Sequence, residues 1–362
     1  MRTRVTVALF LLVCGWTLTA TCCTGICVAS NGTTLFGNNE DKESANTFLW
    51  FSPAPAAGGF GAVYYGFADR YPQGGMNERG LSFDQYGQPI LPVTGSDHLP
   101  TPPFRPRNGE WIYRMLEGCE SVDEALAYLS QYDLWFFERF QLLLADRFGD
   151  AAVVEGDCVI RKTGDRLVVT DFLLSQPGLG NYPCARYASA DAVLGHAVCL
   201  TQKTLRDALD AAHTSLTCYS NIHEPSTGDV TLYSMHDFEN AVRFNILDEL
   251  EYGRREFSLT DLFEVATRRT PLDGTRLNGV AVEFSWYGTA AEYEIVLSTE
   301  PCLDRSAVYL AAGCNACASS RRISRTVTGL RPQTTYYWVL RAKGDEGFWT
   351  ETSIYTLQTG SA

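Results

Sequence analysis

Residues 23–41 read CTGICVASNGTTLFGNNED, and the reading of this stretch decides the fold. It follows directly on an apolar leader, with Cys22 immediately before Cys23. It closes on a polar knot, Asn38-Asn39-Glu40-Asp41, that a buried strand tolerates only for a reason. Two adjacent cysteines at the end of a leader, followed by such a knot, call for a chemical explanation.

Outward from that junction, residues 1–22 read as an export signal. Arg2 and Arg4 supply the positive start, Val5 to Leu18 the apolar stretch, and Ala20 and Cys22 the small residues before a cut at Cys23. The apolar run is short for a membrane span. The expectation is an exported mature chain, secreted or periplasmic. A lipoprotein signal with Cys22 lipidated is the alternative, although Thr19-Ala20-Thr21 lacks the large aliphatic residue such signals carry.

The chain has 362 residues, 45% apolar, enough for two ordinary domains. Its net charge of −13 is spread along the sequence, which argues against nucleic acid as a partner, since phosphate recognition needs a basic face. Twelve cysteines in an exported chain predict disulfides. With the leader removed ten remain, and with Cys23 kept as a thiol nine, which cannot all pair. Cys314 and Cys317 form a lone C-x-x-C with no second pair, so a disulfide is expected there and no metal site.

Character changes near residue 265. Before it, alternating apolar segments such as GAVYYGFA, FQLLLADRFGDAAVVEGD and RLVVTDFLL predict strands. Two helices interrupt them: Ser121 to Glu124 forms a capping box ahead of EALAYLSQY, and KTLRDALDAAH repeats its apolar residues at i, i+3 and i+4. After residue 265 short strand runs, GVAVEFSW, AEYEIVLS, TYYWVLRAKG and SIYTLQTG, have the spacing of a β-sandwich. Turn and linker signals occupy 267–279. The predicted organisation is a signal at 1–22, a first domain over 23–265 and a second over 271–360.

A cysteine made N-terminal by proteolysis carries its own base, since its α-amine, with a pKa of about 7.7–8.0, can take the thiol proton. On CTGICVASNGTTLFGNNED the chain resembles the start of mature choloylglycine hydrolase and penicillin V acylase family proteins, members of the N-terminal nucleophile hydrolases. The resemblance implies an α+β fold, a four-layer αββα sandwich, cleaving linear non-peptide amide bonds without a cofactor. It gives Cys23 the role of nucleophile and Asp41 that of orienting it. GGMNERGLSFD at 74–84, VVTDFLL, PCARY around Arg186 and CYSNIHEPSTGDVTLYSMHD match in the same order. They imply site roles for Arg186, for Asp171 or a nearby amide such as Asn181 at the oxyanion, and for Tyr86 as a pocket group. Asn38 stands where the family has an arginine beside the cysteine, which removes support for bile salts or penicillins as substrates. Asp171 stands where the family has an asparagine, and a carboxylate there repels an oxyanion unless protonated or turned away.

Residues 271–360 resemble a fibronectin type III module on Trp286, Tyr293 and GLRPQTTYYW, with Leu330, Pro332, Thr335 and Tyr336 in that family's order. The resemblance implies an all-β immunoglobulin-like sandwich, either a spacer or a contact for a surface, glycan or protein partner.

Other readings of single residues are structural. Asn77 and Glu78 fit turn chemistry. The aromatic groups FLWF at 48–51 and LWFFERF at 134–140 suit either a core or the walls of an acyl pocket. The five histidines are scattered without triad context. The expected activity is thioester-mediated hydrolysis of a small N-acyl amide. Acyl transfer on the same fold, and an inactive secreted adhesion protein working through its C-terminal module, are the alternatives.

Overall fold

The computed structural model describes residues 23–361 apart from 31, 44–45, 91–92, 94–98, 104–107, 180–181, 264, 304–305 and 314–320. The export signal, the expected Cys314 to Cys317 pairing and Asn181 lie outside the described residues.

Strands β1 (Thr24–Ser30), β2 (Thr33–Asp41), β3 (Thr47–Ser52), β4 (Ala62–Phe67), β5 (Pro72–Asn77) and β6 (Ser82–Gly87) precede helices α1 (Glu110–Gly118) and α2 (Val122–Leu129). Next come β7 (Phe140–Ala145), β8 (Ala151–Glu155), β9 (Cys158–Arg161), β10 (Arg166–Val169), α3 (Ala185–His196) and α4 (Gln202–Ala212). Then follow β11 (Thr217–Glu224), β12 (Asp229–Ser234), β13 (Asp237–Asn245), α5 (Ile246–Leu250) and β14 (Arg255–Ser258). The C-terminal part holds β15 (Thr267–Thr270), β16 (Thr275–Arg276), β17 (Val282–Gly288), β18 (Glu292–Ser298) and β19 (Ala307–Ala312). It ends with β20 (Arg321–Val327), β21 (Thr335–Lys343), β22 (Trp349–Thr352) and β23 (Tyr355–Gln358). The chain is α+β and mostly sheet.

Local chemistry explains the two predicted helices. Ser121 Oγ accepts the Glu124 N–H at 3.2 Å and Glu124 Oε2 accepts the Glu120 N–H at 2.7 Å, closing the start of α2. In α4 the apolar repeat becomes the buried face Leu205, Ala208, Leu209 and Ala212. Asn77 fixes the β5–β6 turn: its Oδ1 accepts the Leu81 N–H, and its amide donates to the carbonyls of Leu116 and Cys119. Glu78 Oε1 accepts the Gly61 N–H at 3.1 Å, so both residues serve the turn.

Strand parity sorts the first part into layers. On β1 and β2, Ile26, Val28 and Leu35 pack against Leu194 of α3 and Leu205 and Leu209 of α4. Their alternates Cys23, Cys27 and Phe36 pack instead against Tyr86, Leu143 and Val153 of the other sheet. On that second sheet Tyr64, Phe83 and Leu142 turn away, toward Trp111 and Met115 of α1 and Val122 of α2. Two sheets therefore face one another, each covered outside by a helix pair.

The first sheet runs β10-β1-β2-β11-β12-β13-β22-β21-β18-β19, and the second β14-β3-β4-β5-β6-β7-β8-β9. The C-terminal part thus continues the first sheet, because β13 pairs with β22 through Asn240 with Thr352 and Val242 with Thr350. Strands β23 and β16 join the first sheet beside β21, while β15, β17 and β20 form a third sheet, with Trp286, Tyr293, Trp338 and Leu340 among the core residues of this part. Tyr336 Oη accepts the Arg331 N–H at 2.9 Å, fixing the corner that leads into β21.

Two expectations are corrected. The 267–279 segment is not a free linker: β15 pairs with β17, and β16 with β23. Its turn residues lie between strands whose partners are far away in sequence. Cys27, Cys119, Cys158, Cys184, Cys199 and Cys302 are free thiols, so the expected disulfide framework is not built from them. Of the aromatic groups, open between core and pocket wall, Leu49 and Phe51 are buried between the sheets and Trp50 and Phe137 beneath α1 and α2, whereas Trp135 is exposed.

Phe348 belongs by sequence to the C-terminal part, yet it packs edge-on against Phe244 and Phe257 of the first, with ring centroids at 5.8 and 5.3 Å. Phe348→Ala is expected to cost about 3–5 kcal/mol, with both parts unfolding in one transition. Urea unfolding followed by tryptophan fluorescence and far-UV circular dichroism checks this, and two separated transitions would contradict it.

Candidate active site

Cys23 stands at the head of β1, 6% exposed, with its side chain in the space between the sheets. In the antiparallel ladders Thr24 pairs with Asn39 and Gly25 with Val169. Continued to the strand end, those registers put Glu40 across from Cys23 on one side and Asp171 across from it on the other. The polar knot therefore lies where it does because β2 ends beside the first residue of β1.

Arg186, in the first turn of α3, ties these groups together. Its Nη1 donates to Asp41 Oδ2 at 3.3 Å and to the Cys23 carbonyl at 3.4 Å, and its Nη2 lies 3.1 Å from Asp171 Oδ1. Thr217 at the start of β11 donates its hydroxyl to Asp41 Oδ1 at 2.5 Å. Burial raises the Asp41 carboxyl, while Thr217 and Arg186 pull it back toward the charged form. The Asp41 backbone N–H donates to Cys23 Sγ at 3.4 Å, a contact that favours the thiolate. Burial and the Glu40 charge act against it and push the thiol up.

The sequence-derived residues are thus largely brought together. Cys23, Asp41, Arg186 and Asp171 form one cluster. Asp171 is turned into an ion pair with Arg186, which corrects the expectation that it lines an oxyanion pocket; a carboxylate bound to a guanidinium does not donate to an oxyanion. Tyr86 is buried against the same space. A Cβ on Gly25 would lie 2.2 Å from its hydroxyl, so glycine is required there. Asn38 is fully buried next to the Glu40 carboxyl rather than on a substrate-facing surface. Asn39 is structural, donating to the Leu209 carbonyl at 2.8 Å and accepting from Ser220 at 2.7 Å.

The sequence reading missed Glu40, Asp84, Thr217 and Tyr219. Glu40 pairs with Tyr219 of β11, and Asp84 of β6 shares a strand face with Tyr86. Both carboxyls are buried, and Glu40 Oε2 and both Asp84 oxygens have no hydrogen-bond partner among the described residues. Burial raises both, and the Glu40 charge raises Asp84 further. Counting parity outward from Cys23 would have found them: positions 38 and 40 on β2, and 84 and 86 on β6, share the inter-sheet face with the nucleophile. His223 also lies there, stacked between Phe36 and Tyr65 and pulled down to about 3 by burial, a neutral core histidine. A cavity of about 370 Å³ lined by Arg206, Tyr233, Glu239 and Tyr355 lies at the seam with the C-terminal part, and Cys23 is not among its lining residues.

No family model matches the chain, and no curated protein matches it in sequence. Among solved structures it is similar to a penicillin V acylase from Agrobacterium tumefaciens, 15% identical with a TM-score of 0.40, over 59% of this chain and 82% of that one. It is also similar to a Caenorhabditis elegans ortholog of N-acylethanolamine-hydrolyzing acid amidase, 14% identical with a TM-score of 0.40, over 56% and 93%. The functional reading rests on the geometry of the site itself.

Two outcomes follow from the charges. Arg186→Met leaves Asp41 and Asp171 uncompensated and is expected to cost about 3–5 kcal/mol in urea unfolding; a cost near zero would contradict the bridging role. Asp84 binds its proton more tightly folded than unfolded, so its contribution is fully present below the ordinary carboxylate range and is lost as pH rises through the raised value. Asp84→Asn mimics the protonated form. Its stability relative to wild type should grow with pH above about 4, by up to roughly 1.4 kcal/mol per unit. A difference independent of pH would refute the buried neutral acid.

Proposed function

We propose that the protein is an N-terminal-cysteine amidohydrolase that cleaves a linear, non-peptide C–N amide bond through a thioester at Cys23. The observation that carries this reading is the Arg186 clamp, which holds both the Cys23 backbone and the Asp41 carboxylate beside a buried thiol. Such an arrangement serves a residue whose own nitrogen takes part in the chemistry. The layering of two sheets between helix pairs supports membership of the N-terminal nucleophile hydrolases, and removal of residues 1–22 during export supplies the free α-amine.

In this reading the α-amine of Cys23 accepts the thiol proton, and the Asp41 N–H stabilises the thiolate as it forms. The thiolate attacks the amide carbonyl. Arg186, paired with two carboxylates, keeps the head of β1 in register and sets the local charge, while Asp41 is fixed by Thr217. The amine departs, water attacks the thioester, and the acid is released. No step requires a metal or a cofactor. The C-terminal part is a structural extension of the first sheet rather than a separately tethered module.

The test is turnover of a panel of N-acyl amides of graded chain length by the processed protein and its Cys23→Ala variant. Wild type should release amine from at least one member, and the variant should fall to background. Equal inertness of both across the panel would overturn the enzyme reading in favour of a binding protein.

A further inference from the structure

We propose, resting on the reading of Cys23 as nucleophile, that Glu40 is a second catalytic residue: the acid that protonates the departing amine and then the base that activates the hydrolytic water. Continued one residue beyond the Thr24–Asn39 pair, the β1–β2 register sets Glu40 across from Cys23, and each of the two side chains acts electrostatically on the other. It is 4% exposed, and Oε2 is left without a partner. A buried polar atom with no partner costs free energy. Its retention at the nucleophile calls for a chemical use.

Its surroundings keep it able to carry a proton. From β6 come Asp84 and Tyr86 and from β11 Tyr219 and Cys218, none of them a cation. On β2 itself Asp41 raises the Glu40 carboxyl and Lys42 lowers it, with burial the largest effect and upward. Asp84 pairs with Gly74, where a Cβ would come within 2.2 Å of Oδ2, so the opposite sheet leaves room for a carboxyl at this point.

The steps balance as follows. The tetrahedral adduct on Sγ collapses by breaking the C–N bond while Glu40 gives its proton to the nitrogen, so a neutral amine leaves and Glu40 becomes a carboxylate. Water then attacks the thioester carbon and passes a proton to that carboxylate. The second adduct releases the acid by expelling the Cys23 thiolate, which recovers its proton from the α-ammonium group of the same residue. Glu40 ends protonated, as it began.

The experiment uses the processed protein, its Glu40→Gln variant, and two substrates with one acyl group: the best N-acyl amide of the panel and the matching p-nitrophenyl ester. Nitrophenolate leaves without protonation, so only the amide needs the acid. Glu40→Gln should acylate from the ester, read as the nitrophenolate burst, within about threefold of wild type, while amide turnover drops on the order of 10²–10⁴-fold. Iodoacetamide labelling of Cys23 should match that of wild type, because a neutral amide replaces a neutral acid beside the thiol. Equal amide turnover in variant and wild type, or a parallel loss of ester and amide acylation in a folded variant, would overturn the proposal. Glu40→Asp, one methylene shorter, provides a second variant with the same expected split should the glutamine form fail to fold. A wild-type Cys23 that resists labelling would instead sink the nucleophile reading beneath it.

Discussion

The ion pairs of Arg186 are the constraint around which the site is organised. One guanidinium, 15% exposed, compensates Asp41 at the end of β2 and Asp171 beyond β10, and also holds the Cys23 carbonyl. Three separate chain segments therefore have to converge on the head of β1 before any of these charges is tolerable in the interior. The helix that carries Arg186 is in turn seated by Ala190 and Leu194 on the sheet that carries Cys23. Site geometry and the packing of one outer layer are the same interaction seen from two sides.

Strand parity then divides labour at the nucleophile. Residues of β2 that point toward the helices, Asn39 and Asp41, anchor and orient. Those that point between the sheets, Asn38 and Glu40, share the buried space of the thiol. A single-residue slip of register would exchange the two sets. The Asn39 contacts to Leu209 and Ser220 and the Thr217 contact to Asp41 oppose such a slip from both neighbouring elements.

Much of this was legible in the sequence, and the failures have physical causes. Cys23, Asp41, Arg186 and Asp171 could be picked out because each sits in a short local motif. The direction in which Asp171 faces could not, since it is set by a helix residue fifteen positions on. Glu40 was in plain view within NNED but went unread, because its significance depends on which face of β2 it occupies. Helices α2 and α4 announced themselves by capping and apolar spacing. Helix α3 did not, its buried contacts being only Ala190 and Leu194. The continuity of the first sheet through β13 and β22 was hidden by a composition change near residue 265 that reads as a boundary, while the pairing that crosses it is made a hundred residues apart.

The central claim is that the working protein begins at Cys23 with a reactive thiol. Intact mass of the exported protein, with peptide mapping after brief iodoacetamide treatment, tests it most directly. A chain starting at Cys23, with the adduct on that residue, is the result the account predicts. A chain that keeps residue 22 attached, or one in which Cys23 is unlabelled or held in a disulfide, would contradict it.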